Sequence, residues 1–256
     1  MMALVHRDMG NDGAALEWLE RTEREAERLG LGFVVRDCQL QRAFLLARGG
    51  ELARAELELA RAGERRGKGW RGVHRHEAEA QVAALRGDRA AAVTAAGRAL
   101  QRVAPGAVCY RVWTAMNMAS VLAENGAPDV ARAAVDDALA TLDACFPGPR
   151  GRQHRAGLLA SRARLEYDTG EPERACASLA SCWEEAGPQA DQVIRAHWPG
   201  LRPALWHALA EGALSPDAVL PAMRDAFPGG GALMEMVDHP APAVRRAALA
   251  LSLIHI

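Results

Sequence analysis

One spacing recurs five times along the chain: an alanine, a glycine seven positions later, and an alanine five positions after that. The sets are Ala3–Gly10–Ala15, Ala43–Gly50–Ala55, Ala80–Gly87–Ala92, Ala119–Gly126–Ala131 and Ala163–Gly170–Ala175, and successive glycines lie 37 to 44 residues apart. A period of this size is that of helical-hairpin repeats, in which each unit buries its apolar face only against its neighbours. Each glycine falls where one helix must stop and the next begin, because a helix C-terminus closes through a positive φ that glycine adopts without a Cβ clash. Start signals follow: Asn11-Asp12, Asp88, Pro128-Asp129 and Pro172-Glu173. Acidic groups and proline both suit a first helical turn. The alanines lie mid-helix and let neighbouring helices approach closely, with Leu52-Ala55-Leu59 and Val130-Ala134-Ala138 as apolar stripes at helical spacing.

On these residues the chain resembles the tetratricopeptide repeat (TPR) family, over residues 1–187. Ala62, Ala99, Ala138 and Cys182 fall on that family's second helix-B small position. The helix-A tryptophan of the family is absent from its usual place, and the closing proline is displaced to Pro105, Pro147 and Pro188. The resemblance implies an all-α fold, an α-solenoid of antiparallel helix pairs in a right-handed superhelix, with a concave groove lined by helix-A positions. Carried over residue by residue, these are Asp37, Phe44 and Arg48 in the second unit and His74, Glu77 and Gln81 in the third. Trp113, Met116 and Ser120 follow in the fourth, and Arg164, Tyr167 and Asp168 in the fifth. The expected occupant is a protein or peptide segment, or a small effector.

Both ends carry their own expectations. Residues 3–10 align with the second halves of later A helices, so the first unit reads as incomplete, with Met1 an internal methionine and Leu16 and Leu19 exposed for want of a full partner helix; the alternative is a short natural cap. Residues 188–231 are punctuated by prolines, with short helices expected at Gln189–Trp198, Pro203–Glu211 and Pro216–Ala226; Ser215 is placed to cap the last. Residues 232–250, with His239-Pro240-Ala241-Pro242-Ala243-Val244-Arg245, resemble a HEAT unit. Residues 251–256 (Leu-Ser-Leu-Ile-His-Ile) resemble the translation of a transposon end used in preparing sequencing libraries, CTGTCTCTTATACACATC, which reads as non-native sequence.

Composition narrows the partners. Half of the 256 residues are hydrophobic, 5% are aromatic and the formal net charge is −1, so the chain as a whole has no electrostatic pull toward nucleic acid. Lys68 is the sole lysine, a bias that with the abundant Ala and Gly points to a high-GC bacterial source. No apolar run reaches the length of a membrane-spanning helix, and five cysteines without a CxxC pair read as reduced thiols in cytoplasm.

Other groupings read as structure rather than chemistry. His74-Arg75-His76-Glu77 lacks metal-ligand spacing and is expected on a polar helix surface; no metal and no cofactor are expected. His197-Trp198 and Trp206-His207 read as packing anchors, Asp136-Asp137 and Glu184-Glu185 as solvated pairs, and Gly229-Gly230-Gly231 as a loop without phosphate-binding character. The basic cluster Arg61, Arg65, Arg66, Lys68, Arg71 and Arg75 surrounds a glycine-rich turn.

The expected function is binding rather than catalysis. The order of repeats, proline-spaced segment and HEAT-like unit is similar to the repeat segments of large LuxR/MalT-like or SARP-type signal-transduction ATPase transcription regulators. That resemblance implies a sensor or interaction region, with ATP hydrolysis and DNA reading carried elsewhere. The alternative is a stand-alone scaffold that assembles proteins.

Overall fold

In a computed structural model, residues 6–7, 10–63, 70–104, 106–146, 148–197, 200–226, 240–242 and 244–245 are described. The described residues form helices, turns and loops and contain no strand. The chain divides into two compact units, residues 1–145 and 146–256. The division falls between the fourth and fifth Ala–Gly–Ala sets, so the fifth set groups with the proline-punctuated segment.

The first unit contains α1 (Asp12–Arg28), α2 (Gly32–Arg48), α3 (Leu52–Arg61), α4 (Trp70–Leu85), α5 (Arg89–Arg102), α6 (Val108–Glu124) and α7 (Pro128–Cys145). Consecutive helices pack on each other, and α4 also packs on both α2 and α6. The second unit contains α8 (Arg152–Asp168), α9 (Pro172–Ala186), α10 (Ala190–His197), α11 (Arg202–Ala210) and α12 (Pro216–Ala226). There α8 packs on α9, α11 on both of them, and α10 on α8 and α12.

The recurrent glycines act as their spacing requires. Gly50 has φ +83° and Gly170 φ +80°, and each closes its helix with the same two bonds. The Gly50 amide donates to Ala47 O at 3.0 Å and Glu51 to Leu46 O at 2.8 Å; Gly170 donates to Tyr167 O at 3.1 Å and Glu171 to Glu166 O at 2.8 Å. This is the Schellman pattern, which satisfies carbonyls that a helix end otherwise orphans. Gly10, Gly87 and Gly126 repeat it, and so does Gly30 between α1 and α2, which stands outside the fivefold spacing. The start signals also hold. Asn11 Oδ1 accepts from the Ala14 amide, Asp88 Oδ1 from Ala91 and Ser215 Oγ from Ala218. Pro128 and Pro172 are first residues of α7 and α9.

The alanines of the five sets are buried wherever they are described. Ala15, Ala43, Ala55, Ala80, Ala92, Ala131 and Ala163 are wholly buried, and Ala119 and Ala175 nearly so; Ala3 lies outside the described residues. Ala62, Ala99, Ala138 and Cys182 are buried as well. A side chain no larger than a methyl group lets facing helices approach closely.

Several expectations are corrected. Val130 is 48% exposed; the buried stripe of α7 is Ala131, Val135, Ala138, Leu139 and Leu142, one residue round the helix. Leu19 is buried and Leu16 packs on Leu46, Ala47, Ala55 and Val82, because α2 covers α1. The 74–77 segment is no polar surface: His74, His76 and Glu77 are all buried where α4 is flanked by α2 and α6. The expected short helices form at Ala190–His197, Arg202–Ala210 and Pro216–Ala226, the first preceded by a 3-10 turn at Gly187–Gln189. All five cysteines are free thiols. The segments 64–69, 227–239 and 251–256 lie outside the described residues, and with them Arg65, Arg66, Lys68, the triple glycine, most of the HEAT-like unit and the final hexapeptide.

Candidate functional site

Three helices of the first unit, α2, α4 and α6, bring together most of the residues singled out from the repeat register. Asp37, His74 and Trp113 each stand six positions before their repeat alanine (Ala43, Ala80, Ala119). The structure joins the first two directly: His74 Nδ1 and Asp37 Oδ1 are 2.7 Å apart. The His74 ring then lies 5.9 Å from the ring of Tyr110, and Tyr110 meets Trp113 edge-on at 5.7 Å and 77°. Deeper in the α4–α6 contact, Asn117 Nδ2 approaches Glu77 Oε1 at 3.4 Å.

Toward the other end of α2, Phe44 is buried beneath two guanidinium groups. Arg7 lies 5.8 Å and Arg48 5.5 Å from the ring centroid, within cation–π range. Arg7 donates to Gln41 Oε1 at 2.9 Å, and Arg48 is held by Asp12 at the start of α1. Asp37, Gln41, Phe44 and Arg48 follow one another at helical spacing, which is why one face of α2 carries all four. Gln81, Met116 and Ser120 are half-buried on the same helices.

The electrostatics reflect this clustering. Burial and then the Asp37 carboxylate push the Tyr110 phenol above its ordinary range; Arg7 acts the other way and Glu77 adds to the rise. Elsewhere on α4, burial raises Glu79, but the hydrogen bond from His76 and the charge of Arg75 outweigh it and hold the carboxyl below its ordinary value.

Arg7, Gln41, Tyr110 and Asn117 were not among the residues singled out from sequence. Tyr110 precedes Trp113 by three positions and Asn117 follows it by four, and Gln41 follows Asp37 by four, so the same helical faces carried the signal.

Arg164, Tyr167 and Asp168 belong to the second unit, where α11 packs on α8. Arg164 pairs with Asp168 at 3.4 Å, and its guanidinium lies over Gly200 so closely that a Cβ there would collide with it. The Tyr167 and His207 rings lie 5.7 Å apart, tilted at 54°, in an open cleft of about 360 Å³ lined also by Arg202, Pro203, Trp206, Ala210 and Ala241. Trp206 is buried, as a packing anchor would be.

A second polar network stitches the first unit together on other faces. Arg42 of α2 is only 6% exposed, donates twice to Glu58 of α3 (3.1 and 2.7 Å) and ion-pairs with Glu23 of α1; Gln39 adds a 3.0 Å bond to Glu23. In the second unit Arg162 bonds Ser178 at 3.1 Å. Arg42 and Arg162 each precede a repeat alanine by one position, and Glu58 and Ser178 each follow the partner helix's alanine by three. The second and fifth Ala–Gly–Ala sets therefore share a contact as well as a spacing.

Among the described residues no group of three His, Cys, Asp or Glu side chains is placed to hold a metal ion, and no helix is long and apolar enough to cross a membrane. Comparison with protein-family models, with curated proteins and with solved structures finds no match.

Proposed function

We propose that this chain is a helical-repeat binding module: a TPR-like α-solenoid of antiparallel helix pairs, superhelical with a right-handed sense, that takes a protein or peptide segment along the face of α2, α4 and α6. The observation that carries the reading is the line of side chains across those three helices, Asp37–His74–Tyr110–Trp113, with Phe44 and its two arginines at one end. Aromatic and charged groups concentrated on one face of a repeat array are what a peptide-binding surface needs, since rings supply contact area and charges supply register. On the resemblance to LuxR/MalT-like and SARP-type regulators, the role assigned to the module is the sensing of a partner or effector, as part of transcriptional signalling in a bacterial cytoplasm.

The test uses the full chain. A random-peptide display library is panned against it, and the selected peptides are titrated against Trp113→Ala and Arg48→Glu. Both variants are expected to weaken binding about tenfold or more, as truncation of an aromatic or arginine anchor does, while the melting temperature stays within a few degrees. Peptides that bind both variants as well as they bind the parent would overturn the groove assignment.

A further inference from the structure

Four glutamates among the described residues are almost wholly buried: Glu23, Glu58, Glu77 and Glu166. Three of them meet arginine. Glu23 and Glu58 share Arg42, and Glu166 lies 3.8 Å from both Arg162 and Arg174 and accepts the Ser178 hydroxyl at 2.6 Å. Glu77, 3% exposed, departs from this pattern. Its Oε1 has the 3.4 Å contact from Asn117, a neutral amide at the limit of hydrogen bonding. No arginine or lysine among the described residues pairs with it, and its Oε2 accepts from none of them. A buried carboxylate is stabilised by a cation or by good donors, and among the described residues Glu77 has one long amide contact where its three counterparts have arginine.

Its surroundings indicate what is missing. Glu77 acts on the phenol of Tyr110 together with Asp37 and, in the opposite sense, Arg7. Arg7 is already committed to Gln41 and to the ring of Phe44. Glu77 stands one helical turn from His74, which already pairs with Asp37, and its contact Asn117 stands one turn from Trp113, so the carboxylate lies beside the edge-on pair of rings, Tyr110 and Trp113. A cation here would give Glu77 what arginine gives Glu23, Glu58 and Glu166. A guanidinium fits best, since it is planar, stacks on an indole face and forks to carboxylates, and is more weakly hydrated than an ammonium. Resting on the groove reading above, we propose that Glu77, Asp37, Tyr110 and Trp113 form a subsite for an arginine side chain of the bound segment.

The probe is the peptide acetyl-Ala-Ala-Arg-Ala-Ala-amide, with its citrulline counterpart as the neutral isostere, titrated into the full chain by NMR. The indole N–H signal of Trp113 is assigned from its loss in Trp113→Phe. The arginine peptide is expected to shift that signal, and citrulline to bind about tenfold more weakly or less, the usual scale for losing a charged partner in a desolvated pair. Glu77→Gln keeps the shape and removes the charge; it should weaken arginine binding by a similar factor with an unchanged or raised melting temperature. Asp37→Asn serves if Glu77→Gln does not fold. Equal binding of arginine and citrulline, unaltered arginine binding by these variants, or no shift of the Trp113 signal would overturn the subsite. If display-selected peptides without arginine bind in a Trp113-dependent way while the arginine probe does not, the subsite falls and the groove stands. If selected peptides ignore Trp113, the groove reading itself falls.

Discussion

Replacing Arg42 with methionine isolates the energetics of the polar network that joins α1, α2 and α3. Glu23 and Glu58 are 10% and 11% exposed at their side chains, and Arg42 is the cation in close contact with both. Removing one partner of a buried pair typically costs ~3–5 kcal/mol, because the remaining charge stays buried without compensation. Arg61 survives in the variant, 2.9 Å from Glu58 and 3.8 Å from Glu23, but it is half in solvent, so the lower end, about 3 kcal/mol, is expected. For a domain of this size that is a fall in melting temperature of roughly 6–12 °C. The pH dependence carries the sign. In the parent, burial raises Glu23 but the hydrogen bond and charge of Arg42 outweigh it, leaving its pKa below the ordinary 4.5. A carboxylate with a depressed folded pKa contributes stability that is present above the unfolded value and lost as pH falls through the folded one. Without Arg42 the burial effect dominates, so the variant should gain relative stability on acidification and the gap between the two proteins should narrow from pH 7 toward pH 4. Urea denaturation across that range measures it. The triple variant Arg42→Met, Glu23→Leu, Glu58→Leu, with no charge left to orphan, should recover to within about 1 kcal/mol of the parent. A triple variant as unstable as the single one, or a gap that does not change with pH, would refute the argument and assign the loss to packing.

Gly50→Ala should cost about 1–2 kcal/mol through backbone strain alone, since φ is +83° and nothing lies within 4 Å of the added Cβ; Gly97→Ala, inside α5 with equal room and no positive φ, should instead gain about 0.5–1 kcal/mol, and chemical denaturation of the pair separates the effects. Ala43→Leu, at a wholly buried helix contact, should lose about 1–3 kcal/mol by overpacking, and a neutral result would show that α2 does not depend on close approach there. Burial pushes the Cys182 thiol up to about 12 and, helped by Asp37, the Cys38 thiol up to about 11. In iodoacetamide labelling at pH 8 followed by peptide mass mapping, the exposed Cys109 and Cys145 should react first and Cys182 only on unfolding; early labelling of Cys182 would contradict its placement.

The sequence and the structure agree where the controlling physics is local. A helix end at Gly87 needs only a positive φ and a capping residue, both written within a few positions, and Asp88 supplies the cap to α5. The repeat alanines are legible for a related reason: a fixed spacing across five sets is a pattern that exposed positions have no cause to keep, and the described members are buried. Predictions weakened where burial depends on which helices meet. Val130 and Ala131 both satisfy a helical period, and only the packing of α7 on α6 chooses between them. His74, His76 and Glu77 read as polar because polarity is a property of the residue, whereas their burial comes from α2 and α6 closing on α4. The same closure turns an unremarkable glutamate into the one buried carboxylate, among the described residues, without an arginine. The family resemblance supplied the residues of this face, Asp37, Phe44, Arg48, His74 and Trp113, and helical spacing keeps those of one helix on one side. Neither reveals which buried carboxylates meet an arginine, because that depends on which residues of other helices reach them, and a sequence does not record distances between helices.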